Sequence, residues 1–230
     1  MTKKGIHTVF LFLFCFQAYS QSKNDSLYVN FHLEFNKLPF ELNKKYVSAS
    51  KDTLSIETFR CYISNIQIQY SDNFVFYKKN SYHLLDFDNP NSFQIPITKK
   101  SDKLISKVTF NIGIDSLTNT AGAMDGDLDP TKGMYWAWQS GYINIKIEGK
   151  STSCKTRNNE FQFHIGGYRE PNYMMRKVEF NCNSNDNITI AIDLKDFFSN
   201  INLAQTNSVM IPCKLATELA NDSVKMFHLE

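Results

Sequence analysis

The chain lacks any run of the ~20 apolar residues that a membrane-spanning helix needs. Its one notable apolar run, residues 9–16, is far shorter. That run follows Lys3 and Lys4 and precedes Ala18-Tyr19-Ser20. A basic start, a short apolar centre and small residues at a cleavage point describe a secretory signal peptide over residues 1–20. Cys15 stands inside the run between Phe14 and Phe16, without the small residues that precede a lipid-bearing cysteine, so a cleaved signal is expected. The product is then periplasmic or extracellular, with no transmembrane segment.

An excess of one charge is also missing. The formal charge is only +2, and Lys3 and Lys4 supply it. The basic residues are scattered, which excludes the electrostatic footprint of a nucleic-acid or anionic-membrane binder. Catalytic signatures are absent too. There is no G-x-S-x-G elbow, no H-E-x-x-H helix, no phosphate-binding loop and no G-x-G-x-x-G turn. No C-x-x-C pair exists, which excludes a dithiol redox motif or a zinc ribbon. The chain is not expected to be an enzyme. A hydrolase would have to show a buried carboxylate pair or a Ser–His contact in a cleft.

Long 3.6-period apolar stripes are lacking, and short period-2 runs take their place. In LYVNFHLEF, Val29, Phe31, Leu33 and Phe35 face one way and Asn30, His32 and Glu34 the other, as in a half-buried strand. The same texture recurs in FRCYISNIQIQY, SYHLLDF, KVTFNIGI, YINIKIEG, EFQFHIG, KVEFNC and NITIAIDL. Turn-forming stretches separate these runs. Short helical turns are expected at 194–204 and 214–221. The reading is all-β: an antiparallel β-sandwich forming a single domain over residues 27–230, behind a disordered polar segment at 21–26. An aromatic content of 14% is enough for its core. Four cysteines follow the signal: Cys61, Cys154, Cys182 and Cys213. An even number in an exported chain predicts two disulfides, with three connectivities open.

The candidate sites are few. Asp125-Gly-Asp127-Leu-Asp129 has the look of a calcium loop, but Pro130 and Trp136 occupy the sixth and twelfth positions, so a solvated turn is expected. Of the histidines, His32 and His228 read as surface residues. His164 opposes Phe163 on its strand and runs into Gly166-Gly167. His83 shares a face with Leu85 and Phe87, as a hydrogen-bonded core histidine would. Trp136 and Trp138 are the only tryptophans. On a strand they would project from one face, roughly 6.5–7 Å apart. By residue type alone they could simply cover a sheet. Gly133, Ser140 and Gly141 thin the packing around them, and Met134 shares the face of Trp136. A thioether and imidazoles suit Cu(I) better than calcium or magnesium.

The segment GAMDGDLDPTKGMYWAWQSGYINIKIEG, residues 122–149, resembles the hallmark of the MbnP-like family of exported, methanobactin-associated copper-binding proteins. Its core, a Gly-Met-aromatic-Trp-x-Trp-x-x-Gly-Tyr pattern closed by Gly149, is specific. Tyr62-Ile-Ser-Asn-Ile66, Tyr82-His-Leu-Leu-Asp86, Phe110-Asn-Ile-Gly-Ile-Asp115 and Phe163-His-Ile-Gly-Gly167 follow in the family's order. The resemblance runs from about residue 27 to the C-terminus. It implies a copper cofactor, Cu(I) or Cu(II), held by His83 and His164 with Met134 as a soft neighbour. It also implies a partner, a dihaem enzyme of the MbnH/MauG type, that oxidises Trp136 or Trp138 to kynurenine. The aryl amine and ketone so formed can coordinate, whereas an indole N–H offers no lone pair. The rival expectation is a binding or adhesion module that grips a peptide or glycan through exposed aromatics.

Overall fold

The computed structural model describes residues 26–230. The expected signal peptide and the polar residues 21–25 lie outside them. Ser26 already pairs with Lys99, so the domain opens one residue before the expected boundary. The chain begins with β1 (Ser26–Phe35), β2 (Leu38–Pro39) and β3 (Lys45–Val47). The 18-residue β4 (Thr53–Tyr70) follows, then β5 (Val75–Tyr77), β6 (Tyr82–Asp86), β7 (Gln94–Lys99) and β8 (Ile105–Ile112). After helix α1 (Ser116–Ala121) come β9 (Tyr135–Trp136), β10 (Gly141–Tyr142), β11 (Ile145–Ser151) and β12 (Glu160–Ile165). The last elements are β13 (Arg176–Ser184), β14 (Ile188–Asp193), α2 (Leu194–Phe197), β15 (Ser208–Val209), α3 (Lys214–Ser223) and β16 (Phe227–Leu229). Helices α2 and α3 fall where short helical turns were expected, whereas α1 was not expected.

The alternating strands bury their apolar faces between two sheets. The smaller runs β16-β14-β1-β2, with β7 also on β1. The larger runs β13-β8-β4-β11-β12-β15, with β3, β5 and β6 on the other edge of β4. Strand β1 shows the predicted alternation in full, with every second residue buried. The sheets are not wholly antiparallel. β1 pairs β14 in parallel, and β12 pairs β15 in parallel. Phe31 of β1 and Phe110 of β8 meet edge to face across the core, ring centroids 5.6 Å apart.

Strand β4 does not keep one face inward. Its register shifts opposite Glu148/Gly149 and again between Ser64 and Gln67, where Asn65 takes a left-handed φ of 52°. Each bulge exchanges the faces. Between the bulges Cys61, Tyr62 and Ile63 are all fully buried. Cys61 and Ile63 enter the inter-sheet core, while Tyr62 enters a second core on the outer face of the larger sheet.

The expectation of two disulfides is corrected, because all four cysteines are free thiols. They stand on elements that do not meet. Cys61 is central in β4, Cys154 lies in the turn after β11, Cys182 is on β13 at the opposite edge of the sheet, and Cys213 caps α3. Burial pushes the thiols of Cys61, Cys154 and Cys182 above their ordinary value, which keeps them protonated and unreactive. Alkylation in denaturant without reductant, read by mass spectrometry, should therefore label all four. Phe110→Ala, which removes the ring shared by Phe31 and Phe227, should cost about 3–5 kcal/mol in chemical denaturation.

Candidate metal centre

The second core is built from the segment between β8 and β11. Tyr62, Leu84, Ile114, Leu128, Met134, Trp136, Tyr142 and Ile143 form it. Asparagines tie the segment down. Asn144 Oδ1 accepts from Ile114 N at 3.1 Å. Asn119 Nδ2 donates to Ile114 O at 3.1 Å, and its Oδ1 accepts from Tyr142 N at 2.8 Å. Gly113, at φ +100°, leaves room for the Asn144 side chain, which any Cβ there would strike.

The aspartate run is more than a solvated turn. Asp127 Oδ2 accepts from Leu84 N at 3.1 Å, an amide that the edge strand β6 leaves free, and its Oδ1 pairs with Lys132 Nζ at 2.6 Å. Asp127 O accepts from the buried Tyr62 hydroxyl at 2.8 Å. Asp129 caps the following turn through Thr131 N. These bonds use the run to dock the loop.

Trp136 and Trp138 do not continue one strand. Trp136 ends β9, while Trp138 lies in the turn that joins β9 to β10. The turn contains Ser140 with a left-handed φ of 52°. Trp136 is 6% exposed and Trp138 is 63% exposed, with ring centroids 5.8 Å apart and planes tilted by 48°. The buried indole rests on Gly166, where an added Cβ would come within 2.8 Å of Trp136 Cζ3 and 2.5 Å of Tyr142 O. Met134 is fully buried in the same core.

His164 lies two residues from Gly166 on β12 and, by strand alternation, on the same face. It closes a cross-strand row of Asp86, Arg60, Lys146 and His164 over β6, β4, β11 and β12. Arg60 Nη1 reaches Lys132 O at 3.4 Å and Lys146 Nζ reaches Gly133 O at 3.5 Å, so the row carries the residues just before Met134. His164 is 6% exposed. Its Nε2 lies 2.7 Å from Glu148 Oε1. The hydrogen bond from His164 is the largest influence holding the Glu148 carboxyl below its ordinary value. An ionised Glu148 accepts, so Nε2–H donates, and in the neutral ring Nδ1 then carries the lone pair. Nδ1 is buried and has no partner among the described residues.

His83 stands apart. It pairs with Ile63 on β4, on the face of Leu85, and its Nε2 lies 2.7 Å from Ser81 Oγ. Strands β4 and β11 separate β6 from β12, which puts the two histidines roughly 14 Å or more apart at strand spacings of about 4.8 Å. The structure therefore puts Trp136 and Met134 in one core, sets His164 two residues from the Gly166 on which Trp136 rests, and leaves His83 beyond β4 and β11. The Ser81–His83 contact meets no catalytic pattern. Ser81 is buried, and neither residue lines the neighbouring cleft bordered by Asn80 and Tyr82. Glu148 is the residue that sequence reasoning missed. Its signal was its place on the strand opposite Gln162, diagonal to His164.

Two outcomes follow from this geometry. Gly166→Ala should displace the Trp136 ring, destabilise the fold by about 1–3 kcal/mol and red-shift emission measured in a Trp138→Phe background. Burial is the largest cause that pushes His83 below its ordinary value. The unfolded chain then binds more protons than the folded one as pH falls through the unfolded value of about 6.5. Stability measured from pH 7.5 down to about 5.5 should therefore decline, and less so in His83→Gln.

The MbnP family model matches residues 24–211. Among solved structures, MbnP from Methylosinus trichosporium superposes with a TM-score of 0.65 over 89% of this chain and 97% of that one, at 12% identity. At that identity the likeness speaks to the fold alone. No curated protein sequence matches the chain. The match to the family model over most of its length shows that the chain belongs to the MbnP family.

Proposed function

We propose that this is an exported copper-binding protein, not itself an enzyme, whose copper site lies at His164 beside the Trp136/Trp138 hairpin. The observation that carries this reading is the Glu148–His164 pair with its unpartnered, buried Nδ1. Metal-binding imidazoles hold their second N–H on a carboxylate, which fixes the tautomer and makes the free nitrogen a better donor. The pair has that form.

The donor set near His164 is incomplete for a metal. Among the described residues, no group of three His, Cys, Asp or Glu ligand atoms converges there. His83 is too far away to complete it. The family resemblance supplies a reason: a tryptophan oxidised by a dihaem partner would add the missing donors. Trp136 is the better placed of the two, since it is held against Gly166 next to His164, whereas Trp138 is exposed. Copper bound there would supply redox or transfer capacity. The chain's own part is to exclude water with Met134 and Tyr142 and to orient the imidazole through Glu148.

A peptide- or glycan-binding module would present both indoles to solvent, away from histidine. Trp136 is buried against Gly166, so only Trp138 serves that reading.

Copper titration should show affinity falling at least about tenfold in His164→Ala, roughly 1.4 kcal/mol, and little change in His83→Ala. Unchanged copper affinity in His164→Ala overturns the site. Peptide mass spectrometry on protein isolated from its native host should find the oxidised residue at Trp136. Unmodified indoles at both positions in copper-loaded native protein would remove the tryptophan from the site.

A further inference from the structure

A different cluster lies on the outer face of the smaller sheet, with the inter-sheet core between it and His164. His32 and Glu34 project from the same face of β1, the one turned away from the core. Glu230, just after β16, approaches them from the far side of β14, held by its own N–H on Thr189 O at 3.1 Å. His32 Nε2 lies 3.3 Å from Glu34 Oε1 and 3.5 Å from Glu230 Oε1. One donor atom from each residue falls within 4.8 Å of the other two. Among the described residues this is the one such group.

We infer that His32, Glu34 and Glu230 form a second metal site, for a borderline divalent cation such as Zn2+.

Three features support this. Bonds of about 2.0–2.1 Å on a tetrahedral ion set neighbouring donors about 3.3–3.4 Å apart, close to the spacings His32 already makes. The donors are one imidazole nitrogen and two carboxylate oxygens, a set that suits zinc and leaves a fourth position open to water. Neither glutamate forms an ion pair with a lysine or arginine among the described residues. The two carboxylates share a single imidazole, and a divalent cation between them would neutralise their mutual repulsion.

The sheet prepares the site. Ala191, directly beside His32 in the parallel β1–β14 register, presents only a methyl group and leaves space above it. β16 must be paired on β14 for Glu230 to arrive, so a bound ion would clamp that short edge strand to β1.

This inference does not rest on the copper reading, and the test separates them. Purified full-length protein stripped of metal is titrated with Zn2+ by calorimetry, alongside His32→Ala, Glu230→Gln and His164→Ala. The expected result is one equivalent with Kd on the order of micromolar, weakened at least about tenfold by His32→Ala and by Glu230→Gln. His164→Ala should leave it unchanged. Zn2+ should also raise the melting temperature of the wild type and not of His32→Ala. Absence of Zn2+ binding up to about millimolar overturns the inference. So does binding that survives both His32→Ala and Glu230→Gln, or that is lost only in His164→Ala. Both substituted side chains are at least partly exposed and outside the core, so each variant should fold, and circular dichroism checks that it has.

Discussion

Strand β4 must bury both of its faces over the same three residues, and most of the architecture answers to that demand. Cys61 and Ile63 need the inter-sheet core, and Tyr62 needs cover on the other side. An ordinary half-solvated strand would leave Tyr62 in water. Here the segment between β8 and β11 folds back as a lid of short turns and a small hairpin, and the Tyr62 hydroxyl finishes on Asp127 O. The two bulges that bracket this stretch let one long strand serve different partners at its two ends. They also return its outer residues to solvent beyond the doubly buried part.

The lid places the hairpin, and the hairpin places the tryptophans. Because the loop is anchored at Asp127, Asn119 and Asn144, Trp136 has one resting place, the backbone of Gly166. The missing side chain at Gly166 is what brings an indole so near β12. His164 follows from the same strand period, since it lies two residues from Gly166 on the same face. Fold and candidate site are thus one problem here: the residues that cover Tyr62 are those that set Trp136 on Gly166, two residues from His164.

Period-2 alternation made the strands legible because each buries one face, and β1 is the clearest case. The helices after β14 were legible as breaks in that alternation. The parallel pairing of β1 with β14 was not, because a period of two says which face is buried and nothing about the neighbour's direction. The turn between the two tryptophans is hidden from the sequence for a related reason. Trp-x-Trp satisfies strand spacing, and only the left-handed Ser140 and the short pairing of Gly141 with Trp136 show that the chain has turned. The cysteine parity argument failed because it counts residues without asking whether their elements touch. Family resemblance named His83 and His164 alike, but β4 and β11 stand between them, a separation that no linear motif records.

Two buried polar atoms have no partner among the described residues, Asn144 Nδ2 and His164 Nδ1. Each such atom costs about 1–3 kcal/mol, so each calls for a reason. The asparagine has one within the fold. Its Oδ1 holds Ile114 N, its backbone oxygen accepts from Tyr62 N, and its side chain fills the space above Gly113. An orphaned amide hydrogen is a tolerable cost for a residue that organises the lid. The histidine has no such structural account. Glu148 could be satisfied by Lys146, whose ammonium already lies 3.6 Å away, and an apolar residue at 164 would fill the position without the desolvation cost. The imidazole is nonetheless kept buried, with one nitrogen fixed on a carboxylate and the other left with an available lone pair. That arrangement penalises stability, and it is what a metal ligand requires. The uncompensated cost at His164, set against the compensated one at Asn144, is the physical argument behind the copper site proposed there.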